Sequence, residues 1–236
     1  MLWTILNRPS DYRKRYVAVT TAINAGVRQE ALRVFDAVEP TDLHEHIEFE
    51  EFIPLADTAL ERDDVSRVLS YCLVLREVQD GDTPELLISD SVYPLRLNRF
   101  RMPASYYTLG TVTYRHLQNY LRSRQEELHY LVCPSQPVAR GRYEDFLWNT
   151  LCYGPCPLHN APAVLVTPQG ASWLLTTILG RLASYASGTL QAHVFGTPMP
   201  DATGCFALCE PVFGEYPKEI FDDSALEYYA LAPSER

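Results

Sequence analysis

The stretch Val68-Leu-Ser-Tyr-Cys-Leu-Val-Leu-Arg-Glu-Val78, followed by Gln79-Asp80-Gly81-Asp82-Thr83-Pro84-Glu85-Leu86-Leu87-Ile88, decides the fold class. It is a Leu- and Val-rich run, a break at Asp80-Gly81-Asp82, and a second apolar run. That pattern predicts a β-hairpin whose loop is longer than the tight two-residue kind. A hairpin brings an antiparallel component. Helical patterns stand on both sides of it, so the fold class is α+β or mixed α/β.

Upstream, Pro9 to Val38 reads as helical, with Ser10 as N-cap and Tyr12, Tyr16, Val19, Ile23, Val27 and Leu32 forming the apolar stripe. Gly26 marks a kink or a junction between two helices. Glu39-Pro40-Thr41-Asp42 ends this part, and His44 to Phe52 alternates like a one-sided strand. Downstream, Ser105 to Glu127 reads as a helix, His129 to Val132 as a strand and Tyr143 to Leu151 as a short helix. Ala163 to Val166, between Pro162 and Pro168, reads as a buried strand, and Gln169 to Ser187 as a helix with Gly180 inside it. Gln191–Phe195 and Cys205–Val212 supply short strands. No linker or repeat divides residues 1–236, which are expected to form a single compact domain with a helical N-terminal subregion over 1–40.

Composition narrows the function classes. Twenty Lys+Arg against 30 Asp+Glu leave a net charge of −10, which argues against duplex DNA or an anionic membrane as the main partner. No apolar run approaches the ~20 residues of a membrane span. The run Met1 to Leu6 is too short for a secretory signal and is followed by Asp11, Arg13, Lys14 and Arg15. The six cysteines are therefore expected to be reduced thiols or metal ligands.

Cys152-Tyr-Gly-Pro-Cys156-Pro-Leu-His159 is the most specific local feature. Two thiols and an imidazole on a Gly/Pro turn suit structural zinc, which takes four S or N ligands in a tetrahedron. The fourth ligand is open among Cys133, Cys205 and Cys209, and the two Cys-x3-Cys pairs, 152/156 and 205/209, offer a four-cysteine set instead. Cys-x2-Cys is the usual knuckle spacing, and buried free thiols are the plain alternative. His44-x-His46 with Glu48, Glu50 and Glu51 is a second metal candidate, against the reading of a solvated edge strand. A thiol- or metal-dependent hydrolase would use Cys152 or Cys156 with a His. A nucleic-acid-binding factor would use Arg96, Arg99 and Arg101 beside Phe100 and Tyr106, a strip that the chain's net charge makes better suited to an acidic partner or to the chain's own acidic segment.

Tyr143-Glu144, Trp148, the Cys152/Cys156-Pro157-Leu158-His159 cluster, Ser172-Trp173 and Met199-Pro200 occur in an order that resembles the adenovirus early-region-four 34K proteins. The resemblance covers about a quarter of the chain. It implies a non-enzymatic viral early adaptor of the host nucleus and cytoplasm. Such an adaptor pairs with the viral early-region-1B large protein and recruits a host cullin–elongin ubiquitin ligase against defence and DNA-repair proteins. It also implies zinc on the Cys/His cluster. Three family features are missing: a tight Cys-x-Cys arrangement, a complete elongin box, since Pro233 and Ser234 follow Ala225-Leu226 and Ala230, and an arginine-faced helix.

Overall fold

The computed structural model describes residues 1–46, 60–94, 122, 127–136, 143–144, 151–153, 158, 161–184, 190–195, 204–208 and 211–216. The chain opens with strand β1 (Leu2–Asn7), helix α1 (Tyr12–Asn24) and strand β2 (Leu32–Asp36). Helix α2 (Arg62–Asp80) leads into β3 (Glu85–Ser89) and β4 (Val92–Pro94). Strands β5 (Tyr130–Cys133), β6 (Tyr143–Glu144), β7 (Leu151–Tyr153) and β8 (Ala163–Val166) follow. Helices α3 (Pro168–Ala183) and α4 (Leu190–Phe195) and strands β9 (Cys205–Leu208) and β10 (Phe213–Glu215) complete the described part.

Eight strands form one mixed sheet in the order β2-β1-β3-β8-β5-β9-β7-β6. β1 is parallel to both β2 and β3, whereas β8 is antiparallel to β3 and β5. β5 and β9 are parallel, and β7 is antiparallel to β9 and β6. β4 leaves this sheet and pairs with β10 in a two-stranded antiparallel unit. The expected mixed α/β class with an antiparallel component is what forms.

The alternation of the strands divides the core in two. Leu87, Tyr130, Val132, Val164, Val166, Cys205 and Ala207 pack with the buried faces of α2, α3 and α4. Leu86, Ile88, Leu131, Cys133, Leu165, Phe206 and Leu208 face the other way, against Val92, Val212 and Phe213 of the β4–β10 side. Successive strand residues point to opposite faces, so one sheet feeds both cores.

The antiparallel component does not come from the expected hairpin. Residues 68–78 lie inside α2, where Val68, Leu69, Cys72, Val74, Leu75 and Val78 are buried. Such a dense apolar run lacks a visible period, and tertiary packing on two sides makes it a helix. At the N-terminus, the expected helix over 9–38 is helical only in α1 and turns into strand β2, with strand β1 ahead of it. The apolar opening Leu2–Asn7 is paired on both sides, which is why it reads as a continuous run. In α1, Val17, Ala18, Thr21 and Ala22 are buried, while Tyr12, Tyr16 and Ile23 of the expected stripe face outward. Small side chains let the helix approach β1 and β4 closely.

Two smaller readings also change. Leu190–Phe195 is a helix, not a strand, and Tyr143–Glu144 and Leu151 are strand, not helix. His44 and Glu45 sit in a 3-10 turn. The strands at 130–133 and 163–166 and helix α3 agree with the sequence reading. Helix α3 is capped by Thr167, whose side chain accepts from the Gly170 amide. Expected elements over 47–52 and 105–121 lie outside the described residues.

Candidate functional site at the carboxyl edge of β1 and β3

β1 connects through α1 to β2 on one side, and β2 returns through α2 across β1 to β3 on the other. The chain thus reverses direction of travel between β1 and β3. In open α/β sheets, ligands bind outside the carboxyl ends of the strands at such a reversal, where the two connecting helices leave on opposite faces and open a crevice. The residues at this edge are Asn7 and Arg8 after β1, Asp36 at the end of β2, and Ser89 and Asp90 at the end of β3. The first turns of α1 and α2 lie beside them.

Asn7 is 1% exposed. Its Nδ2 donates to Asp90 Oδ2 at 2.9 Å and to the Asp11 carbonyl oxygen at 3.2 Å. Both partners are acceptors, so the orientation of the amide is fixed. Its Oδ1 is buried without a hydrogen-bond partner among the described residues. An unsatisfied buried acceptor costs roughly 1–3 kcal/mol, which makes it an exception with a reason.

Asp90 is partly buried. Burial pushes its carboxyl above the ordinary carboxylate value. The Asn7 hydrogen bond and the charges of Lys14 and Arg8 pull it down, while Asp11 pushes it up. Around the pair, Lys14 holds Asp11 at 2.6 Å and Arg15 holds Asp36 at 2.8 Å. Arg8 reaches Asp63 at 2.6 Å and Ser66 Oγ at 3.0 Å, tying the end of β1 to the first turn of α2. The Ser10 amide donates to Glu39 Oε1 at 2.8 Å. Chemically, the edge offers a buried amide oxygen beside a partly desolvated carboxylate, in a frame of ion pairs.

A second polar group lies along the same three strands, under α2. Arg33 donates through Nε to Thr4 Oγ1 at 2.8 Å, through Nη2 to Glu85 Oε2 at 2.8 Å and through Nη1 to Glu77 Oε2 at 2.6 Å. Thr4 also donates to Glu85 at 2.9 Å. Thr4 is fully buried and Glu85 nearly so. Every partner is satisfied, so this network reads as a clamp across β2, β1 and β3.

The residues singled out from sequence lie elsewhere. Cys133 and Cys205 are both buried, on neighbouring strands, but belong to the two opposite cores. A single metal cannot take both. Cys152 stands opposite Ala207 in the β7–β9 register. Cys156, His159 and Cys209 lie outside the described residues, as do Arg96, Arg99, Arg101, Glu48, Glu50 and Glu51. Among the described residues, no group of three or more His, Cys, Asp or Glu is arranged to hold a metal ion. Burial pushes the thiols of Cys72 and Cys133 up to about 12, so neither supplies the thiolate that a cysteine hydrolase needs. Sequence reasoning passed over Asn7 and Asp90. They are 83 positions apart, and Ser89-Asp90-Ser91 between two apolar runs looks like a plain turn.

No family model matches the chain, and no curated protein does. Among solved structures, it is similar to a UDP-glucose pyrophosphorylase complexed with UDP-glucose, at 9% identity and a TM-score of 0.39 over 100% of this chain and 99% of that one. It is also similar to the galactosyltransferase LgtC in complex with donor and acceptor sugar analogs, at 12% identity and a TM-score of 0.38 over 100% and 98%. These structures are of enzymes. Nothing in these comparisons points to the expected non-enzymatic ubiquitin-ligase adaptor, and that reading is not carried further.

Proposed function

We propose that the chain binds a small polar metabolite at the carboxyl edge of β1 and β3 and acts on it as an enzyme, with Asp90 as the group that exchanges a proton with the ligand. The observation that carries this reading is the Asn7–Asp90 pair. An amide oxygen fully buried and without a partner among the described residues stands beside a carboxylate raised by burial, at the reversal point of the sheet. Raised carboxyls in a crevice suit general acid–base work, because proton transfer is most efficient when the group's pKa approaches the working pH. The ion pairs of Arg8, Lys14 and Arg15 hold the surrounding loops, so the pair is preorganised rather than assembled on binding.

Thermal-shift screening of the full chain against nucleosides, nucleotides, sugars, polyols and amino acids tests the reading. A ligand that raises the melting temperature of the native protein but not of Asp90→Asn supports it. Ligands whose shifts persist unchanged in both Asp90→Asn and Asn7→Ala overturn it.

A further inference from the structure

We propose that the outward face of α1 docks a second copy of the chain, the two α1 helices packing antiparallel about a two-fold axis. Helix α1 turns its small side chains, Val17, Ala18, Thr21 and Ala22, inward toward β1 and β4 and its large ones away. Tyr12 is 66% exposed, Tyr16 58% and Ile23 39%, with Val19 half-buried between them. Of the five large hydrophobic side chains exposed among the described residues, three therefore stand on this face. Positions 12, 16, 19 and 23 follow a four–three–four spacing. At 3.6 residues per turn they fall within about 60° of one another, a seam narrower than a core-facing stripe and of the kind that packs on one other helix.

Charge selects the occupant and its direction. Arg13, Lys14 and Arg15 crowd the amino-terminal half of α1, while its first turn holds no acid and its last turn no base. That is the reverse of what the helix dipole favours. Lys14 and Arg15 pair with Asp11 and Asp36, but at the surface, and Arg13 lies over the Tyr12 ring at 6.0 Å. A parallel second copy would set the two basic halves side by side. An antiparallel copy sets each basic half against Thr20 to Asn24 of the other helix, an uncharged stretch that ends in the negative pole of the dipole. The side chains match as well. Tyr12 meets Ile23 of the partner subunit, Tyr16 meets Val19 of the partner subunit, and the two-fold axis repeats both contacts. A helix of 13 residues spans roughly 20 Å, so the area buried falls below the roughly 1,200 Å² of a standard interface. The dimer is accordingly weak and concentration-dependent.

Sedimentation equilibrium of the full chain, from low micromolar to near-millimolar concentration, tests the proposal. The expected result is a weight-average mass that rises from the monomer value toward twice it. Tyr16→Ala and Ile23→Ala should each weaken association at least about ten-fold, since anchors at the centre of a small interface carry most of its energy. Leu179→Ala, at an exposed apolar side chain on α3, should leave it unchanged. The truncated side chains are exposed, so the variants keep the fold, which circular dichroism checks. Direction is read by oxidative cross-linking against the wild-type chain treated alike. A mixture of Tyr12→Cys and Ile23→Cys proteins should form an intermolecular disulfide that neither forms alone, because like positions lie roughly 16 Å apart in the antiparallel pair. A monomer at every concentration overturns the proposal, and so does a dimer that ignores both seam variants. Cross-linking of Tyr12→Cys to itself would show a parallel pair and overturn the antiparallel assignment.

Discussion

Asn7 at the end of β1 donates across 2.9 Å to Asp90 at the end of β3, while its own buried Oδ1 accepts nothing from the described residues. One side chain therefore both joins the two strands where the chain reverses and leaves an acceptor to be filled.

Asp90→Asn should raise the melting temperature at neutral pH. The sign follows from the raised carboxyl. A folded-state pKa above the ordinary 3.8 means that the folded state holds more protons than the unfolded one. Stability from this group is then greatest below 3.8 and falls as pH rises toward the raised value. The groups acting on it are Lys14, Arg8 and Asp11. The gain from Asn should vanish in acid, and thermal scans across pH 3–8 read it. A gain that is constant with pH counts against titration of Asp90.

Arg33→Ala should cost roughly 2 kcal/mol, because it strips the guanidinium from Glu85, which is only 9% exposed. The figure is kept below that of a fully buried pair because Arg33 itself is half-exposed. Adding Glu85→Gln should return part of the loss. Urea unfolding of both variants measures it, and additive losses would mean that the two side chains are not coupled.

Gly170→Ala and Gly180→Ala should act in opposite directions although both glycines lie in α3. A Cβ at Gly170 would clash with the His129 carbonyl group, whereas one at Gly180 meets nothing within 4 Å among the described residues. The first substitution must push helix and strand apart and should cost about 2–4 kcal/mol. The second removes unfolded-state freedom from a helix interior and should add about 0.5–1 kcal/mol. Denaturant midpoints distinguish them.

Cys72 and Cys133 should resist alkylation by iodoacetamide at pH 8 in the native protein. Both thiols are buried and pushed up to about 12. Mass spectrometry of peptides should show them modified only after denaturant is added. Rapid native labelling of either would contradict their burial.

Helix α3 and strand β8 were legible because their boundaries are chemical. Pro162 and Pro168 bracket Ala163–Val166, and Thr167 supplies the cap oxygen for the helix that follows. Helix α2 was not legible, since burial against α3 and α4 as well as the sheet fills it with Leu and Val until its period disappears. In α1 the period was right and the face wrong, because tyrosines carry as much apolar area as a core stripe yet here face outward. The candidate site had no sequence signal. An Asn and an Asp separated by 83 positions have no spacing to read.

By itself, the sequence determined a mixed α/β chain with the buried strand over 163–166 and the helix that follows it, because those features rest on local turn chemistry and short-range apolar pattern. Only the tertiary structure decided that the apolar opening Leu2–Asn7 is a strand paired on both sides, and that Cys133 and Cys205 belong to opposite cores. It alone brought Asn7 to Asp90. Strand order is set by crossovers and long-range pairing, whose partners carry no fixed separation in the chain.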